Sequence, residues 1–275
     1  MTTEPRDSAR LAWIRAVPTL LRVGAAETLA YRAEFIVWML TTTLPLVMLG
    51  LWTSVASEGP FASYQQQDFV AYYLATLVVR NLTGSWVVWQ VNEDIRRGAL
   101  SLHLLRPVHP FVAYATTHLS ALPMRALIAV PVAVILLATD ARDLLTSDPA
   151  TLAIFAASLA GAWVLTFFIL VLIGTMGLFI ERSMAIFDIY LGMFSVLSGY
   201  LVPLDLLPGW VQRVAAWLPF RFMLSFPVEL LLAAHPSRME ALGLLGVQWL
   251  YVAVIVTLTM TAWRAGIRRY EAYGS

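Results

Sequence analysis

A chain of 275 residues that is 60% hydrophobic and only 13% charged carries more apolar surface than a water-soluble domain of that length can bury, so lipid is the natural solvent for most of it. Its net charge of +1 gives no electrostatic case for a nucleic-acid partner. The absence of cysteine excludes disulfides, thiolate metal sites and cysteine nucleophiles.

The charged N-terminal stretch shows no evident signal peptide and precedes the first long apolar run. Within it, residues 8–32 place Leu11, Ile14, Val17 and Leu21 at helical spacing, with Arg15 and Arg22 elsewhere around the turn. That pattern predicts a helix lying along the membrane surface with its arginines near lipid phosphate, kinked or broken at Pro18. A positively charged leader without fixed structure is the alternative.

A bilayer core takes about 20 apolar residues per helix. Six segments meet that need: Phe35 to Ser57, Phe69 to Gln90, Leu119 to Thr139, one within Pro149 to Ile180, Ser183 to Val202, and Ala241 to Trp263. The expected fold is therefore an all-α integral membrane protein, a six-transmembrane-helix bundle forming a single domain over 1–275. An even number of spans puts both termini on one side. Twelve arginines fall on that side and only Arg142, Arg213, Arg221 and Arg238 on the other, so the positive-inside bias predicts cytoplasmic N- and C-termini.

The segment 203–238 is too apolar for an ordinary loop, yet Pro203, Pro208, Pro219 and Pro227 cut it into pieces too short to span. Trp210, Trp217, Phe220, Phe222 and Phe226 suit a water–lipid boundary. Two short helices dipping into the outer leaflet and returning account for both features.

All eighteen basic residues are arginine. Without a lysine to hold the β- and γ-phosphates, the chain has no standard ATP-hydrolysing loop. Any ATP-Mg that drives it must sit on a partner, and no cofactor is expected in this chain.

The cytoplasmic segment 91–118 concentrates charge, a glycine, a leucine cluster and a proline-bounded turn. Its core reads RRGALSLHLLRPVHP, Arg96 to Pro110. A short amphipathic helix here would present Leu100, Leu104 and Leu105 on one side, as a knob for a groove in a soluble partner. An interfacial helix that only joins two spans fits the same periodicity.

This run resembles the G-x-L-x-x-x-LLRP-x-x-P signature of the ABC-2 type permeases, the membrane subunits of type-2 ABC exporters, within their bacterial branch. A second stretch, SGYLVPLDLLPGWVQRVAAWLPF from Ser198 to Phe220, is similar to the fifth span, re-entrant helices and LPF turn of the same family. The resemblance runs along essentially the whole chain in order. It implies a multi-pass permease of the bacterial plasma membrane that pairs with a second permease, identical or related, and with separate ABC ATP-binding subunits. It implies an N-terminal interfacial helix and a coupling helix between the second and third spans. The ATPase-coupling role then falls on Glu93, Arg97, Gly98, Leu100, Leu104, Leu105, Arg106 and Pro107. The exported substrate is left open, because one scaffold serves many cargoes.

Arg80, beside Asn81, sits near the middle of the second span. A buried arginine is costly unless paired or wetted, which makes these two residues candidates for the translocation path. The structural alternative is an ion pair between Arg80 and Asp188 or Glu229. Arg125 is placed nearer the cytoplasmic interface, where it would snorkel. The four histidines, His103, His109, His118 and His235, show no metal-ligand spacing. Ser198 with Gly199 at the end of the fifth span has no histidine in a transmembrane helix to activate it.

Two other function classes fit parts of the chain. A secondary transporter working without an ATPase would show several midplane charges and an internal repeat, where this sequence has one clear midplane charge and no repeat. A membrane-embedded lipid-modifying enzyme would need a polar cluster at one face, and Glu93, Asp94 and the loop histidines fit a coupling surface equally well.

Overall fold

A computed structural model describes residues 17–26, 44–234 and 237–270. The described residues form helices, turns and one isolated bridge between Phe61 and Tyr64, with no β-strand among them. In chain order the helices are α1 (Val17–Ala26), α2 (Leu44–Val55), α3 (Gln66–Thr83), α4 (Val87–Arg96), α5 (Leu100–Leu104), α6 (Pro110–Ser120) and α7 (Leu122–Ala138). They continue with α8 (Pro149–Thr175), α9 (Ser183–Leu197), α10 (Gly209–Ala216), α11 (Phe220–Met223), α12 (Ser225–Leu231) and α13 (Arg238–Ile267).

Among the described residues three helical stretches are long and apolar enough to cross a membrane: Pro110–Ala138, Pro149–Leu178 and Arg238–Ile267. The third expected span therefore starts at Pro110 rather than Leu119, and residues 110–118 are its first turns. The cause is local. Pro110 stands at the first helical position, where no N–H is needed, and the His109 ring accepts a hydrogen bond from the Phe111 amide at 3.2 Å. Pro123, which has no N–H to give the Leu119 carbonyl, marks the joint between α6 and α7 at Ala121.

The second expected span is interrupted. α3 ends at Thr83, Gly84-Ser85-Trp86 is non-helical, and α4 resumes the path. α2 and α9 are shorter apolar helices of 12 and 15 residues. α9 stops before Val202 because Gly199 takes a left-handed φ of +83°. Of the first expected span residues 44–57 are described, α2 and the turn after it; residues 35–43 lie outside the described residues, as does all of 8–32 except α1. The described residues of segment 203–238 form three short α-helices, α10 to α12, and a 3-10 turn at Leu204–Leu206, where two short helices were expected.

α8 is the central element, packed by α13, α4, α12, α11, α3 and α9. It starts on an N-cap in which Asp148 accepts from the Thr151 amide at 3.0 Å. Small residues permit close approach along it: a Cβ on Gly174 would stand 2.9 Å from the Val91 side chain of α4, and one on Gly161 3.0 Å from Gln248 of α13. Gln248 repays its burial by donating to the carbonyls of Ser158 and Phe222 at 2.9 and 2.8 Å. The outward face of α7 carries Leu127, Val130, Val134 and Leu137, all more than half exposed, and α13 exposes Leu250, Leu242 and Leu258. Apolar bands of this extent belong against hydrocarbon.

Candidate functional site

The segment between α4 and α6 is built on an amphipathic rod. α4 buries Val87, Val88, Val91, Asn92 and Ile95 and exposes Glu93 and Arg97, which pair at 2.6 Å. Both are more than half exposed, so the pair contributes at most about 1 kcal/mol. Asn92 anchors the rod by donating to the Ser183 hydroxyl at the start of α9. Gly98 then reverses the chain with a φ of +75°, a conformation in which a Cβ is strained. α5 follows.

The leucines do not share one face. Leu100 is fully buried in the core, whereas Leu102, Leu104 and Leu105 are 63%, 39% and 82% exposed. The expected face of Leu100, Leu104 and Leu105 is corrected to Leu102, Leu104 and Leu105. A single turn flanked by the Gly98 reversal is oriented by its docking on α4, not by periodicity. Asp94 holds the loop to the third span, accepting from the Tyr114 hydroxyl at 2.7 Å with His103 Nε2 at 3.4 Å. Arg106 and Pro107 are exposed at the rim of a 530 Å³ cleft shared with His103, His109, Trp263 and Arg268. Burial, aided by the nearby Arg264 charge, lowers the His109 pKa below its usual 6.5.

The expected partners of Arg80 are elsewhere. Glu229 pairs with Arg221 at 2.7 Å and accepts from the Ser225 hydroxyl at 3.1 Å, while Asp188 is exposed on α9. Among the described residues no carboxylate lies within ion-pair distance of Arg80. Its guanidinium instead faces aromatic rings, 5.0 Å from the centroid of Phe194 and 5.9 Å from that of Tyr200. Asn81 is buried and donates to the Leu77 carbonyl at 2.9 Å, so its side chain is satisfied within its own helix.

Arg125 does not snorkel. It lies 15 residues from the start and 13 from the end of the Pro110–Ala138 helix, and it is 3% exposed. Its Nη1 donates to the Gly84 carbonyl at the break in the second span, and its guanidinium lies 4.6 Å from the Trp86 ring centroid. Misplacing the start of the helix misplaced the arginine; the uncharged run from Pro110 to Met124 was the available signal. Trp86 also packs edge-on against His118, 5.6 Å between ring centroids.

At the other end of the bundle a 560 Å³ cavity is lined by Tyr64, Tyr72, Asp205, Arg221, Ser225 and Glu229. Burial and the Asp205 carboxylate, which Tyr64 contacts at 2.9 Å, push the Tyr64 phenol well above its usual range. No group of three or more metal-ligating side chains occurs among the described residues.

Residues 34–274 match the family model described as ABC-2 family transporter protein. The chain belongs to that family. It is a membrane permease of an ABC transporter, and the resemblance carried by its LLRP and LPF stretches holds over nearly its whole length. No curated protein matches it.

Proposed function

We propose that this permease is the membrane-spanning subunit of an ATP-driven exporter, coupled through residues 93–107 to separate ATP-binding subunits. It crosses the bacterial plasma membrane six times with both termini in the cytoplasm, and it forms the path with a second permease, identical or related. Glu93, Arg97, Gly98, Leu100, Leu104, Leu105, Arg106 and Pro107 form the coupling element, with Leu100 as its internal anchor. Arg80 and Asn81 belong to the helix that lines the path. ATP favours the closed state of its own subunits, and that differential affinity displaces α4 and α5 toward the outward-releasing arrangement.

The observation that carries this reading is the cluster of Leu102, Leu104 and Leu105, exposed by up to 82% beside Arg97 and Arg106. Leucines that point away from the core at an arginine-rich end, outside the long apolar stretches, suit an apolar contact on a soluble subunit. Expressed with its ATPase, the wild-type chain retains that subunit through mild purification. Leu105→Asp puts a charge into the proposed contact and should release the ATPase or abolish its stimulation. Trp217→Asp, at a site 84% exposed in the opposite loop, should retain it. Equal behaviour of the two variants, or no co-purifying ATPase, overturns the coupling role.

A further inference from the structure

We propose that the break at Gly84 is an oxyanion-binding site, at which Arg80, Arg125 and His118 receive the phosphate or carboxylate head of an amphipathic molecule. The inference rests on the permease reading and gives its path a ligand class.

Two guanidinium groups converge on one glycine. Arg125 Nη1 donates to the Gly84 carbonyl, and a Cβ on Gly84 would stand 3.6 Å from Arg80 Nη1. Around this point several polar nitrogens are buried without a partner: the guanidinium donors Arg80 Nε, Arg125 Nε and Nη2, and the ring nitrogen His118 Nε2. Arg125 and His118 are 3% and 2% exposed. A guanidinium does not shed its proton. Two such charges, Arg80 in the last turn of α3 and Arg125 midway along the Pro110–Ala138 helix, therefore need an anion, and no carboxylate reaches either one among the described residues.

The surroundings define the rest of the ligand. Trp86, Met124 and Ile128 gather on Ala121 as an apolar cluster separate from the main core. Phe194 and Tyr200 stand on the Arg80 side. A head group with two or three acceptor oxygens matches the forked donors, and an alkyl or aryl body matches the apolar flank. A Cβ on Gly84 would stand 2.9 Å from the Arg80 carbonyl, so glycine is what lets the chain turn this tightly between the two arginines.

The test uses the full-length chain in phosphatidylcholine nanodiscs, with decyl phosphate as probe and decyltrimethylammonium as charge control, read by calorimetry. Wild type should bind decyl phosphate and not the cation. Arg80→Gln is the primary variant because Arg80 holds no backbone group, and it should weaken binding at least about tenfold, which corresponds to 1.4 kcal/mol. Arg80→Lys, which keeps the charge and loses the fork, should fall between. Discs containing phosphatidylglycerol identify the source: weaker apparent binding there marks a lipid head group as the resident ligand, and unchanged binding marks a transported solute. Both outcomes support the oxyanion site. Absence of wild-type binding, or binding as tight as wild type in both Arg80→Gln and Arg125→Gln, overturns it. So does binding that appears only in Asp188→Asn, because a carboxylate from a second copy would then fill the site. Arg80→Gln should still retain the ATPase, so failure here is separable from failure of the coupling role.

Discussion

Gly199 ends α9 in a left-handed conformation, φ +83°, and its carbonyl accepts from the buried Tyr72 hydroxyl at 2.7 Å. A Cβ at this position would press on that hydroxyl and lie 2.9 Å from Ser225 Oγ. Gly199→Ala therefore has two costs. The left-handed backbone costs an L-residue about 1–2 kcal/mol, and overpacking against a fixed ring adds about 1–3 kcal/mol. A less flexible unfolded chain returns about 0.4–1 kcal/mol. The expected net loss is about 1–5 kcal/mol, read by equilibrium unfolding in mixed micelles. Gly192→Ala, on the same helix with nothing within 4 Å of its Cβ, is the control and should be neutral or stabilising by up to about 1 kcal/mol. Tyr72→Phe alone loses a hydrogen bond, about 1 kcal/mol, but in the Gly199→Ala background it removes the clashing oxygen and should cost less or stabilise. If Gly199→Ala stays within about 0.5 kcal/mol of wild type, or the two tyrosine effects are equal, the turn is not under the constraint argued here.

Three further outcomes are expected. Because the chain has no cysteine, Ser147→Cys and Arg269→Cys report topology directly: an impermeant thiol reagent on intact cells should label the first and, until permeabilisation, not the second; the reverse pattern inverts the arrangement. The Thr151 hydroxyl and amide, with Arg238 at 2.7 Å, hold the Asp148 carboxyl below its usual range. Its stabilising contribution is thus present above the unfolded pKa of about 3.9 and is lost as pH falls through the folded value; acid unfolding of Asp148→Asn should lack this component, and a profile like wild type would exclude it. Gly174→Val places its Cβ 2.9 Å from Val91 and 3.2 Å from the Val88 carbonyl, so it should push α4 off α8 and destabilise by about 1–3 kcal/mol in the same micelle assay; a neutral effect would mean the two helices are not in fixed contact.

The long apolar helices were legible because charge-free runs of that length have no other stable fate. Pro149 to Ile180 and Ala241 to Trp263 contain helices at nearly the expected bounds. The errors lie where three-dimensional context decides. Gly84-Ser85 was a visible pair of weak helix formers, but an apolar run shows no break until the Gly84 carbonyl finds Arg125 as an alternative donor. The start at Pro110 was signalled by proline at the first helical position, and missing it moved Arg125 from the middle of a helix to its edge. Leu100 could not be placed from sequence, because α5 has five residues and too few turns to define a face. The pairing of Arg80 failed for a related reason. Glu229 belongs to the short helices after Gly199, and its distance from Arg80 depends on how that segment folds back to meet Arg221.

The break in the second span joins the two proposed sites through one element. α4 runs from the non-helical Trp86, which faces Arg125, to the Gly98 reversal that sets α5. Its buried face meets α8 at Gly174, and its end is tied to α9 by Asn92 and Ser183. A helix of 10 residues is about 15 Å long and moves as a unit more readily than it bends. On the proposed mechanism, displacement at Leu105 is therefore carried to Gly84, where the helix ends on the bond from the Gly84 amide to the Arg80 carbonyl at 2.9 Å and Ser85 and Trp86 are non-helical. The Arg125 bond to the Gly84 carbonyl crosses that break, and Arg80 lies one turn beyond it on α3. Arg80 stands on α3 and Arg125 on α7, so on this proposal a shift of α4 acts on the site through the Gly84 backbone and the Trp86 ring that Arg125 contacts. Coupling and cargo binding are then two ends of one rigid helix, which accounts for the buried Arg125 and the half-buried Arg80 meeting at a helix break rather than within an uninterrupted span.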